Sequence, residues 1–433
     1  MSILFTNAAV VTMDDQQPVL EKAYVSVQGG QIAAVSQTRP NGTYDRVFNC
    51  AGKVLMPGLV NAHTHLPMTL MRGFAGGHDL QDWLNNYIFP TEDKLDSRAV
   101  RAGTGLALAE LIASGTTTVA DMYYFCDDII EEVAAAGVNA NIARGTTCFA
   151  PCANPANYPP CQELAALAGR WNGHNNGQIK VDVSIHGEYT SFNAPELWKY
   201  LAKFAADHSL GMHVHVSETK SEHEECVSRH GMTPIQILDH YGVFDRGGLA
   251  AHCVWCNQGD YELMAKRGIT AVHNPVSNLK LGSGVAGVPA MQKAGVNLAL
   301  GTDGMSSNNS HDLFEEIKLT AILHKGVHHD PMAVTPWETL KMATVNGAKA
   351  LGRKAGVVAP GYEADLILLD FDRPHLIPCH DVVENLVFAA RGSDVVMNMA
   401  RGKVIYENGR YFTLDLNRIK SEVSGYALTK LFG

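Results

Sequence analysis

The chain has little excess of positive charge and no long apolar run, and each absence removes a class of function. Lys and Arg number 34 against 44 Asp and Glu, for a formal net charge of −10. A surface of that sign does not suit a polyanion, so nucleic acid is excluded as a partner. No apolar stretch approaches the roughly 18 residues that a membrane-spanning helix needs, so no membrane partner is expected. The first residues, Met-Ser-Ile-Leu-Phe-Thr-Asn, carry no basic segment ahead of an apolar core and do not read as a signal peptide. Cysteines number nine, an odd count, and are scattered rather than framed in pairs. Reduced thiols in the cytoplasm are the expectation. Cys253 and Cys256 lack the second pair of a zinc ribbon, and Cys148, Cys152 and Cys161 share one Pro-rich loop that has the composition of a local metal clip. Charged residues make up only 18% against 46% hydrophobic ones, which fits a well-buried globular chain.

What is present changes style along the chain. The first segment runs through short β-rich stretches, Ser2–Thr6, Ala23–Val27 and Gln31–Val35, with Gly29-Gly30 as a hairpin signal. The C-terminus resumes the style in Ala364–Asp370, Val395–Met399 and Lys403–Glu407. A small β-sandwich built from both ends, residues 1–56 plus 353–433, is expected. The middle, residues 57–352, alternates apolar strands with amphipathic helices. Strands are expected at 58–62, 116–121, 140–144, 180–186, 211–216, 249–252, 270–273 and 296–302. Helical patterns include 99–113, 127–136, 194–206, 234–241 and 313–324. Near-continuous apolar strands in repeated βα units predict a parallel sheet covered on both faces. Eight units predict an α/β (β/α)₈ TIM-type barrel with its site at the C-terminal strand ends. The segment from Cys148 to Tyr158, broken by Pro151 and Pro155, predicts a loop over the barrel mouth.

His63 and His65 stand two apart at the end of the first barrel strand. Side chains at i and i+2 share a strand face, so the two imidazoles make half a metal site. His215, His252 and Asp303 close later strands at the same end of the barrel. Imidazoles and a carboxylate suit a divalent transition metal.

The motifs Pro57-Gly-Leu-Val-Asn-Ala-His-Thr-His65, His213-Val-His-Val-Ser-Glu-Thr219, Ala251-His252, His273-Asn-Pro-Val-Ser-Asn-Leu-Lys-Leu-Gly282 and Leu300-Gly-Thr-Asp-Gly304 resemble the amidohydrolase superfamily. More closely, nearly the whole chain is similar to 5′-methylthioadenosine/S-adenosylhomocysteine deaminases. Guanine deaminases and triazine hydrolases share much of this framework, so a guanine-type or other heteroaromatic-ring hydrolase is the alternative. The resemblance implies one divalent ion, zinc or else iron, on His63, His65, His215 and Asp303. Dinuclear relatives carry a lysine at the end of strand four; Val181-Asp-Val-Ser-Ile-His-Gly-Glu188 has none. The His-x-Glu and Pro-Cys-x-x-Cys of the other zinc deaminase fold are missing as well.

The resemblance implies hydrolytic deamination of a small nucleoside. Asp303 would take the proton of the attacking water, His252 would orient that water, and Glu218 would protonate a ring nitrogen. In the nucleoside deaminases the residue matching Glu92 binds the ribose diol. Trp83 would wall the sugar, with Arg144, His186 and Ser307 as further substrate contacts and His273 either at the mouth or packed in the interior. Some relatives hold an amino-acid carboxylate with an arginine after strand three. From Gly145 to Gly169 this chain has no Arg or Lys, which favours a smaller or less charged 5′ group. A homo-oligomer is compatible with the sequence, which does not set its order.

Overall fold

The computed structural model describes residues 2–433. Eight parallel strands form the centre: β1 (Leu59–His65), β2 (Thr116–Tyr123), β3 (Asn139–Arg144), β4 (Ile179–Gly187), β5 (Met212–Val216), β6 (Gly248–His252), β7 (Ile269–His273) and β8, which runs in two pieces, Asn297–Leu300 and Asp303–Gly304. The first piece of β8 pairs with β7 and the second with β1, through Asp303 opposite Thr64, so the sheet closes on itself. Every residue of β2, β5 and β7 is buried, because helices cover the outer face and side chains fill the inner one.

Gly301 lies at the break in β8. A Cβ on Gly301 would stand 2.5 Å from Asn274 Oδ1 and 2.8 Å from His63 Cβ. Only glycine lets the strand pass that close to the base of the site. Among the helices, α1 (Ser97–Ala113) starts where the Asp96 side chain accepts from the Ala99 N–H at 2.9 Å, satisfying an amide that has no partner within the helix. Two further helices position the site: α2 (Pro275–Lys280), opened by a proline after β7, and α3 (Leu313–His328).

Both chain ends meet in a second sheet. Lys53–Pro57 pairs antiparallel with Leu366–Asp370, which joins the N-terminal strands to Val395–Ala400 and Lys403–Glu407. Ser2–Val11 pairs with Arg46–Asn49 along its first half and with Lys53–Pro57 further on. The sheet encloses its own core, including Ile3, Phe5, Val25, Leu366 and Met397. Gly29 and Gly30 make the expected two-residue turn, at φ +60° and +84°.

The span 353–433 is not uniform. Its last helices leave the sheet and lie on the barrel: Arg98 Nε is 2.7 Å from Glu422, Lys94 Nζ donates to Leu431 O at 2.8 Å, and the rings of Phe74 and Phe432 are 4.9 Å apart. An amphipathic tail needs an apolar surface, and the flank of α1 supplies it. Among the described residues no helix is long and apolar enough to cross a membrane.

Candidate metal centre and pocket

Three strand ends, those of β1, β5 and β8, bring His63, His65, His215 and Asp303 together, with one ligand atom from each lying within 4.8 Å of the others. His65 Nε2 lies 3.2 Å from Asp303 Oδ1 and 3.3 Å from His215 Nε2, and His63 Nε2 lies 3.4 Å from Asp303 Oδ1. A tetrahedron with metal–ligand bonds of about 2.0–2.1 Å has edges of about 3.3–3.4 Å.

The opposite ring nitrogens fix the tautomers. His65 Nδ1 donates to Met122 O at 2.5 Å and His215 Nδ1 to His186 O at 2.6 Å. Carbonyls only accept, so both Nε2 atoms then present lone pairs to each other. His63 Nε2 is buried without a hydrogen-bond partner. Lone pairs converging beside a buried carboxylate are unfavourable unless a cation sits among them. Without one, a proton is the substitute. Burial opposes charge on His65, yet Asp303 raises its pKa to about 9. Burial instead holds His63 near 4 and His215 well below its usual range. The residues therefore fit a divalent ion, whose binding displaces a proton.

A second acidic cluster fails the same comparison. Glu188, Cys226 and His230 also lie close together. Arg229 Nη2, however, is 2.6 Å from the buried Glu188 carboxylate and already neutralises it. Among the described residues Cys148, Cys152 and Cys161 form no ligand cluster, so the local clip is not supported. All nine cysteines are free.

Around the four side chains the backbone is strained. Ser217, His252 and Asp303 have φ of +48°, +74° and +63°, a region that costs a non-glycine residue free energy and persists where surrounding contacts over-determine it. The strain turns the chain sharply at three strand ends and aims the side chains inward. Past β5 the Glu222 carboxylate accepts the N–H groups of Ser217 at 2.8 Å and Glu218 at 2.7 Å. That clamp points the Glu218 side chain into the pocket. Burial, then the charge of Asp303, raises the Glu218 pKa to about 8, so the group is protonated near neutral pH. His252 Nδ1 donates to Asn278 Oδ1 at 2.8 Å, leaving an Nε2 lone pair 3.7 Å from Glu218 Oε2.

The cavity above these groups has a free volume of about 550 Å³, open solvent at its mouth included. Trp83, Glu92 and His186 line it, with Phe89, Tyr123 and Tyr189 beside them. Burial raises the Glu92 pKa to about 7, and the neighbouring Tyr123 hydroxyl offsets part of that rise.

Two expected substrate contacts lie elsewhere. Arg144 faces an adjoining groove, where its Nε donates to Glu163 at 2.8 Å. Ser307 Oγ turns back to Asp303 Oδ2 at 2.8 Å and does not line the cavity. His273 is buried against His324 rather than at the mouth. Ser277, which sequence reasoning passed over, donates to the same Asp303 oxygen at 2.6 Å. Ser277 and Asn278 belong to α2, within the motif that begins at His273. Pro275 there marks a helix start, but no spacing rule shows which oxygen the helix supports.

The barrel with His-x-His, His and Asp at its strand ends defines a hydrolase of the amidohydrolase type, and the chain belongs to the Amidohydrolase family, whose profile matches residues 54–405. Over 432 residues it is 40% identical to a 5-methylthioadenosine/S-adenosylhomocysteine deaminase of Acetivibrio thermocellus, covering 99% of both chains. It is 40% identical to a 5′-deoxyadenosine deaminase of Methanosarcina mazei, covering 97% of this chain and 96% of that one. Among solved structures, a zinc-bound adenosine deaminase from Xanthomonas campestris superposes with a TM-score of 0.93 at 32% identity, covering 99% and 98% of the two chains.

Proposed function

We propose that the protein is a metal-dependent aminohydrolase that converts adenosine-type nucleosides to the inosine analogue and ammonia. 5′-Methylthioadenosine, 5′-deoxyadenosine, adenosine and S-adenosylhomocysteine are the substrate class. The observation that carries this is the placement of a buried carboxyl, Glu218, and an imidazole, His252, 3.7 Å apart in the cavity that also holds His65, His215 and Asp303 of the four-ligand cluster. Glu92 stands in the wall of the same cavity. The relatives' activities agree with it.

His63, His65, His215 and Asp303 would hold the ion. We favour zinc, while iron suits the same donor set. When bound, such an ion lowers the pKa of water and polarises the reacting centre. The remaining work falls to the protein. His252 Nε2 accepts from the attacking water and orients it. Asp303 takes one proton from that water. Glu218 gives its proton to the purine nitrogen next to the carbon that bears the amino group, so the ring does not accumulate negative charge as the C–O bond forms. Asp303 then passes the proton it took to the amino group, the C–N bond breaks and ammonia leaves, while the proton of the new hydroxyl returns to Glu218 as the carbonyl forms. Glu92 supplies two acceptor oxygens to the vicinal ribose hydroxyls, and Trp83 gives the substrate an apolar wall.

The same proposal assigns chemistry to residues 57–352 and a supporting role to the composite sheet domain from the two ends. Nine free thiols suit a reducing cytoplasm. The test is the ultraviolet spectrum of metal-replete protein with each nucleoside. A shift from the adenine to the hypoxanthine chromophore, with ammonia released in equal amount, is expected.

A further inference from the structure

We propose that His213 is a positioning residue for the metal centre. Its Nε2 accepts the Nδ1–H of His63 and so holds the His63 tautomer that presents Nε2 to the ion. The proposal rests on the reading of His63, His65, His215 and Asp303 as a metal site.

The three candidate imidazole ligands are supported unequally. His65 and His215 donate their Nδ1–H groups to backbone carbonyls. His63 Nδ1 instead lies 2.8 Å from His213 Nε2, making His63 the one imidazole ligand held by a side chain. His213 precedes His215 by two residues on β5 and shares its inward face. Both His63 and His213 are wholly buried, so water does not compete for the contact.

Proton bookkeeping fixes the direction. With Nε2 of His63 on an ion, the single ring proton sits on Nδ1 and His213 Nε2 must accept it. The proton of His213 is then on its own Nδ1, a buried atom with no protein partner. Opposite it across the strand pair is Ser184, whose Oγ is also buried and unpartnered.

A second imidazole differs from a carbonyl in one respect: it can also donate. When no ion is present, His213 Nε2–H can donate to His63 Nδ1, and the His63 proton moves to Nε2, toward Asp303 Oδ1 3.4 Å away. The pair thus keeps its hydrogen bond in both states of the site.

The test compares zinc-loaded wild type, H213Q and H213M by the rate of zinc transfer to an excess of chromogenic chelator. The rise in Tm on adding zinc to metal-free protein is the second measurement. Glutamine places an amide oxygen near the position of Nε2, whereas methionine keeps the volume and offers no comparable acceptor. Outer-shell partners are typically worth about 10–100-fold in metal affinity. H213M should release zinc about 10–100-fold faster and show a smaller zinc-induced rise in Tm, with H213Q within a few-fold of wild type on both. If H213M does not fold, H213N, whose amide is too short to reach His63, takes its place with the same expectation. Equal release by wild type and H213M or H213N, or H213Q releasing as fast as they do, overturns the proposal. Wild type that holds no zinc at all overturns the metal reading beneath it, a separate result.

Discussion

Ser277 Oγ lies 2.6 Å from Asp303 Oδ2 and donates to it across the gap between α2 and β8. Ser307 Oγ approaches the same oxygen at 2.8 Å. Both act on the carboxylate oxygen turned away from His63 and His65. They orient the carboxylate so that Oδ1 faces the imidazoles. A hydrogen bond to a buried charged group is worth about 1.5–3 kcal/mol. Ser277→Ala should therefore lower kcat/KM by roughly ten- to hundred-fold. S277A/S307A should be worse than either single change, and steady-state kinetics with zinc in excess checks both.

Glu218→Gln keeps the shape of the side chain and loses the transferable proton. Turnover should fall by about 10²–10⁴-fold while bound zinc stays at the wild-type level. Elemental analysis beside the kinetics separates the two effects. Activity within a few-fold of wild type would show that another group protonates the ring.

The pH profile carries the same assignment. The Glu218 pKa is raised to about 8, chiefly by burial, so the acid form predominates below that value and is lost above it. A bound cation pulls the value down, placing the limb at or below about 8. Wild-type kcat/KM should fall about tenfold per pH unit on its alkaline side. A flat profile from pH 7 to 10 contradicts the role.

Much of the site was legible because strand parity is a rigid rule. Once eight strands are expected, His63, His65, His215 and Asp303 must emerge at one end of the barrel. Ser307 and Arg144 were not legible in this way. Ser307 lies in a tight turn after Asp303, where Ser307 N–H bonds to Gly304 O at 3.1 Å, and the turn folds its hydroxyl back on the carboxylate. Arg144 does end its strand, but Glu163 and the face of Tyr124 draw the guanidinium into the next groove. The two-end sheet was visible in the alternation of its strands. The docking of the last helices on α1 was not, because a short amphipathic helix does not name the surface it will cover.

The ribose contact predicts a selective loss. Glu92→Ala should lower kcat/KM for nucleosides about ten- to hundred-fold, since two charge-assisted bonds are lost and water replaces them in part. Any slow turnover of adenine or guanine should be unchanged. Equal losses on nucleoside and free base would place Glu92 in the chemistry or in the fold.

Arg144 is tied to Glu163, and the adjoining groove also carries Asp93, Asp127 and Asp128. The carboxylate of an amino-acid 5′ tail entering that groove would face acidic side chains. 5′-Methylthioadenosine or adenosine should be used at least as well as S-adenosylhomocysteine, measured as kcat/KM. Glu163→Gln frees the guanidinium and should improve S-adenosylhomocysteine relative to 5′-methylthioadenosine.

The most direct measurement of the central claim is a comparison of kcat/KM for adenosine, 5′-methylthioadenosine, S-adenosylhomocysteine and guanine, using zinc-replete wild type and E92A. Conversion of the nucleosides to inosine analogues, impaired in E92A, with guanine a poor substrate, is the predicted result. A strong preference for guanine that E92A leaves untouched would contradict it.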